Sequence, residues 1–97
     1  MDNITELIPF GHEQAISRKR LCTISGWPDR VIRRAIAIAN EHGEIILNTD
    51  RGYFRYLDES DDPFFEHYIA RERRRSKMIM RKIRKMEKSR TEELEFV

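Results

Sequence analysis

Cys22, Gly26 and Ile32 stand at a spacing that few folds accommodate. A small residue lies four positions before a glycine, and a branched apolar residue lies six after it. Two short helices that cross steeply need a small side chain where their backbones approach, and Cys22 meets that need. The turn between them needs a residue that tolerates positive φ, which Gly26 supplies. Downstream, Ile32, Ala35, Ile36 and Ala39 fall at i, i+3, i+4 and i+7, an apolar stripe along one side of a helix. Arg30, Arg33, Arg34, Ala37 and Glu41 fall on the other side. Residues 17–36 therefore read as a helix, a glycine turn and a second helix with a basic outer face.

Local signals set the neighbouring elements. Ser17 is placed to cap the first helix, over about residues 18–25, and Pro28 suits a first-turn position of the second. Gly43 is the expected residue just past the end of that second helix. Near the start, Asp2 or Asn3 is placed to cap a short helix through Ile4, Leu7 and Ile8, which Pro9 terminates. Ala15-Ile16 reads as a brief strand. The β-prone runs Glu44–Asn48 and Tyr53–Leu57 flank Thr49-Asp50-Arg51-Gly52 and read as a hairpin. Alternation in the second run predicts one buried and one polar face.

Helix, strand, two helices around a glycine turn, then a hairpin: this order resembles the winged helix-turn-helix family. The segment Pro28-Asp-Arg-Val-Ile-Arg-Arg-Ala-Ile36 is similar to that family's recognition-helix start, usually Ser-Arg-x-Thr-Val-Arg-Arg-Ala-Leu. Gly52-Tyr53-Phe54 is similar to the Gly-Tyr-x that follows the wing turn in domains like that of the biotin operon repressor, and GntR-type regulators share the pattern. The opening Leu7-Ile8-Pro9-Phe10-Gly11-His12-Glu13 also resembles small proteins of bacteriophages and prophages. The likeness covers residues 4–57. It implies a mainly α fold with a small β-hairpin wing, followed here by a long C-terminal helix. It also implies sequence-specific binding of double-stranded DNA, as a transcriptional regulator or an accessory of phage DNA transactions. Pro28 departs from the pattern: it stands where the family has Ser or Thr, and offers a phosphate neither N–H nor hydroxyl.

Charge is segregated along the chain. Net charge is +2 over 97 residues. Residues 1–57 hold eight Lys and Arg against seven Asp and Glu, residues 58–70 hold five acidic residues and no Lys or Arg, residues 71–90 hold eleven basic against two acidic, and residues 91–97 hold three acidic. This divides the chain into a domain over 1–57, an acidic linker over 58–63, a basic helix over 64–90 and an acidic tail over 91–97. The single cysteine excludes an internal disulfide, the first residues lack the pattern of a signal peptide, and no run is apolar enough to span a bilayer. A cytoplasmic location is the expectation.

The C-terminal third is built differently. Asp61 or Asp62 is placed to cap a helix that Pro63 starts and that runs without Gly or Pro to about Ser89. Phe65, Ile69, Glu72, Ser76, Ile79, Ile83 and Met86 recur at alternating steps of four and three, a heptad seam with polar positions at 72 and 76. Such a helix is roughly 39 Å long. Its first cluster, Phe64, Phe65, Tyr68 and Ile69, suits packing on the preceding domain. Ile79, Ile83 and Met86 lie beyond that domain's reach and are expected to pair with a second copy, in a homodimer.

These patterns nominate the functional residues. Arg30, Arg33 and Arg34 face outward on the second helix, and Arg33 is the candidate base reader, since arginine grips guanine O6 and N7 through two parallel bonds. Arg18, Lys19 and Arg20 begin the preceding helix, where a phosphate also meets free backbone N–H groups. Arg51 at the wing tip is placed for a phosphate or a minor groove. Tyr53, Tyr56 and Trp27 read as core rather than stacking platforms. His12, His42 and His67 are scattered without ligand spacing, so no metal, cofactor or catalytic centre is expected. Two other readings stay open: a protein-interaction module of a phage replication or packaging assembly, and RNA binding through the arginine-rich helix.

Overall fold

The computed structural model describes residues 4–95, with side chains through 92. The chain divides into two compact units, Met1–Glu66 and His67–Val97.

In the first unit, residues Ile4–Leu7 form a single 3-10 turn, and Pro9 follows it. The expected caps, Asp2 and Asn3, lie outside the described residues. Helix α1 (Arg18–Ser25) starts at Ser17, whose hydroxyl accepts the Arg20 N–H at 3.1 Å. It stops at Gly26, which adopts φ 75 and returns its N–H to the Cys22 carbonyl at 2.9 Å. Helix α2 (Asp29–Glu41) begins one residue later than expected, because Pro28 sits at the N-cap with an extended ψ of 152. Its end is a Schellman closure: Gly43 N–H bonds the Asn40 carbonyl and Glu44 N–H bonds the Ala39 carbonyl.

The α2 stripe is buried as its period dictates. Ile32 and Ile36 join Ile4, Ile8, Leu21, Ile46 and Tyr53 in one core, with Cys22, Trp27, Ala35 and Ala39 packed at its margin. Asn40 ties this helix to the hairpin. Its side chain bonds both backbone groups of Ile46, donating to the carbonyl at 3.1 Å and accepting the N–H at 2.9 Å.

Strands β1 (Ile46–Thr49) and β2 (Gly52–Arg55) pair antiparallel, with Thr49 opposite Gly52 and only Asp50-Arg51 between them. The strand expected at Ala15-Ile16 is reduced to a single bridge. Ile16 exchanges both backbone bonds with Tyr53, at 2.8 and 2.7 Å, and then Ser17 turns into α1. On the same edge, Arg55 N–H bonds the Pro9 carbonyl at 2.7 Å and Gly11 N–H bonds the Arg55 carbonyl at 2.9 Å. The outer edge of β2 is thereby covered.

In place of one buried and one polar face, β2 is covered on both. Tyr53 faces the helical core, and on the other side Phe54 is fully buried. His12 and Phe64 cover it: the two rings stack at 3.9 Å, and each meets the Phe54 ring edge-on, at 5.3 and 5.9 Å. Periodicity marks which residues share a face but not what later packs on that face.

Residues 58–63, read from charge as a linker, are built into this unit. Asp58 caps a 3-10 turn (Glu59–Asp61), accepting from Ser60 N–H and hydroxyl. Those bonds hold its carboxyl below the usual value. Asp61 is 2 % exposed, and its two oxygens accept the N–H groups of His12 and Leu57 at 3.2 and 2.9 Å. Helix α3 (Asp62–Glu95) starts directly after it and continues past the expected end near residue 90.

The Tyr56 hydroxyl donates to Asp62 Oδ1. This bond, partial burial and the carboxylates of Asp62, Glu59 and Asp58 push the phenol from 10.0 up to about 12. The folded form holds this proton more tightly than the unfolded form. Its contribution is therefore complete below pH 10 and is lost as pH rises through about 12. In an absorbance titration, Tyr56→Phe should delete a phenolate step near pH 12. A difference curve centred near pH 10 would contradict the assigned bond.

Within the second unit α3 is a single helix. Residues 71–92 are exposed throughout, including Met78, Ile79, Met80, Ile83 and Met86. Among the described residues no helix is long and apolar enough to cross a membrane.

Candidate functional site

All seven nominated arginines and lysines of the first unit are exposed. On α2 the 100° step between residues places Arg30 and Arg34 on the face opposite Ile32 and Ile36, with Arg33 at the margin between the two faces. Burial of the apolar side forces this basic side into solvent. The same helix also presents Val31 and Ile38, 38 % and 44 % exposed, on the flank next to Arg34.

Asp29 organises two of the cations. Its carboxylate accepts Arg18 Nε at 2.6 Å through one oxygen and Arg33 Nε at 3.1 Å through the other. One side chain in the first turn of α2 therefore links the start of α1 to the middle of α2. The position also suits the positive end of the helix dipole. The Asp29–Arg33 pair was visible as an i, i+4 spacing. The Arg18 link was not, because nothing local relates residues 18 and 29. These are solvent-exposed pairs, so their stability contribution is small, and their main effect is positional.

Arg18 has a second neighbour. With Ser17 it lines one side of a cleft of about 280 Å³, whose other side is residues 48–53 of the hairpin, including Arg51. The turn residue Arg51 thus stands across a cleft from the first residue of α1. Asp29 thus joins Arg33 to Arg18, and Arg18 shares a cleft with Arg51, a series that runs over α2, α1 and the hairpin turn. Lys19 and Arg20 do not line that cleft. Arg30 and Arg34 make no ion pair among the described residues, so their charge is uncompensated.

Other polar residues serve the fold. Arg55 donates from Nε to the Ile8 carbonyl at 2.7 Å, and its guanidinium lies 3.9 Å above the Phe10 ring. His12 Nε2 lies 3.1 Å from Thr49 Oγ1, and His42 Nδ1 lies 2.8 Å from the Ile38 carbonyl. Among the described residues no group of three His, Cys, Asp or Glu side chains is arranged to hold a metal ion. Comparison with protein-family models, with curated proteins and with solved structures yields no match to this chain.

Proposed function

We propose that the first unit binds double-stranded DNA in the manner of a winged helix-turn-helix, with α2 entering the major groove and the β1–β2 hairpin as the wing. In this reading the protein regulates transcription or assists a DNA transaction, without catalysis. The observation that carries it is the basic series linking α2, the start of α1 and the hairpin turn, with Arg30 and Arg34 left unpaired beside it. Recognition helices read base edges, while the preceding helix start and the wing take phosphates.

Arg33→Ala and Arg34→Ala should each weaken binding to a cognate duplex by roughly 1–3 kcal/mol where the arginine meets a base. The duplex is found by selection from a random pool, and affinity is read by fluorescence anisotropy across a salt series. With about five phosphates engaged, log affinity should fall against log salt with a slope near −4 to −5. Unchanged affinity in the folded double variant would overturn the proposal.

Asp29 supplies a second test. Asp29→Asn removes the carboxylate that holds Arg18 and Arg33. Non-specific duplex binding should tighten severalfold at low salt, because two guanidinium groups are freed. Discrimination between cognate and random duplex should fall, because Arg33 loses its orienting partner. Tighter binding without lost discrimination would assign Arg33 to the phosphate backbone rather than to a base.

A further inference from the structure

The second unit presents an apolar seam with nothing on it. Ile79 and Ile83 are 45 % and 37 % exposed, and Met86 and Met80 flank them on the same side. On the heptad frame set by Ile79 and Ile83, Met86 is also a seam residue, and Glu72, Ser76 and Arg90 are the polar seam positions within residues 71–90. Arg74, Arg81 and Lys88 fall diametrically opposite, so part of the basic charge of this helix lies away from the seam. A seam of this kind fits another helix, and the placement of its charged members says which helix and in which direction.

We infer that α3 pairs with α3 of a second copy, antiparallel, about a twofold axis that crosses the seam midway between Ile79 and Ile83. A twofold contact is reciprocal: if residue i meets j, then j meets i. In this register Ile79 packs on Ile83 of the second copy and Ser76 on Met86. Glu72, an acidic interruption of the seam, meets Arg90, the basic interruption at its other end. Flanking the seam, Arg73 meets Glu87, and Met80 meets Met80. The only two carboxylates within residues 71–90, Glu72 and Glu87, thus both find cations. Neither has an ion-pair partner on its own helix among the described residues. The arrangement leaves one unfavourable flanking contact, Lys82 beside Lys82.

Parallel pairing satisfies the charges less well. It gains a flanking contact between Lys82 and Glu87. Within the seam, however, it sets Glu72 against Glu72 and Arg90 against Arg90, where like charges are closest and least screened. An unrelated acidic partner helix would leave the position of Glu72 unexplained. The self-complementary placement of Glu72 and Arg90 about Ile79 and Ile83 selects a second copy. This inference is independent of DNA binding.

Sedimentation equilibrium of the full chain at moderate salt tests it, with circular dichroism confirming helix content. The unmodified protein should show a reversible monomer–dimer equilibrium below high micromolar concentration. Glu72→Arg and Arg90→Glu should each weaken the dimer roughly tenfold, since the isologous contact contains the altered pair twice. The double variant Glu72→Arg/Arg90→Glu should recover to within about threefold of the original. A chain that stays monomeric at high micromolar concentration overturns the proposal. So does a double variant no tighter than the singles, which is the outcome for parallel strands. Ile79→Asp/Ile83→Asp should be monomeric, and a persistent dimer in that variant would place the contact elsewhere.

Discussion

Replacing Gly52 by alanine is expected to destabilise the first unit by about 4 kcal/mol, a large fraction of the stability of a unit of this size. Two effects add. Gly52 has φ +121, a backbone region that residues with a Cβ rarely adopt. A Cβ built there lies 2.2 Å from the Ile16 carbonyl oxygen, 2.6 Å from its carbon and 2.9 Å from Ser17 Cα. All three are backbone atoms, and they are fixed. Ile16 is doubly bonded to Tyr53, and Ser17 is the cap of α1. Relief would therefore require breaking the Ile16–Tyr53 bridge or moving the start of α1. Gly26→Ala is the matched control: its φ is +75, but nothing lies within 4 Å of the added carbon. It should cost about 1 kcal/mol, from backbone strain alone. Urea denaturation followed by circular dichroism separates the two. Equal losses at both positions would show that the close approach at Gly52 is relieved cheaply.

Phe54→Ala should cost about 3–5 kcal/mol, the usual range for a fully buried aromatic ring. Its consequences should also be uneven. Phe54 is fully buried, and it is the ring against which His12 and Phe64 both rest. Phe64 is in the first turns of α3, within the first unit. Removing the Phe54 ring withdraws the floor beneath that contact and beneath the buried segment around Asp61. Amide hydrogen exchange should therefore rise at His12 and Leu57, whose N–H groups are held by Asp61. Exchange across α1 and α2 should rise less, because Ile32, Ile36 and Leu21 pack on the other side of the sheet. Uniform acceleration over the whole unit would mean that the two sides of the hairpin unfold as one.

The contrast between these two residues and their neighbours shows where sequence reasoning succeeds. Ser17, Gly26 and Gly43 mark the ends of α1 and α2 through bonds spanning three to five residues. Such bonds belong to the local chain, so the residue type alone reports them. The buried stripe of α2 is legible for the same reason: its period follows from helix geometry. The outward arginines were legible as its complement. The turn at residues 50–51 was legible from the β-prone runs on either side.

Only the tertiary structure decided the rest. Gly52 reads as a turn residue, yet its requirement comes from the backbone of Ile16, distant in the chain. Asp61 reads as part of a charged linker, yet two remote N–H groups draw it into the interior. Arg55 reads like the other arginines, yet it is committed to the Ile8 carbonyl and the Phe10 ring. Arg18 and Arg33 gain a shared carboxylate that neither position announces. In each case the deciding partner is remote in sequence and meets the residue only when the hairpin, the N-terminal segment or the start of α3 closes over it. Local propensity selects conformations over a turn or two of chain. It says nothing of which distant backbone group will need a hydrogen bond, or which face will lose its water, until packing brings them together.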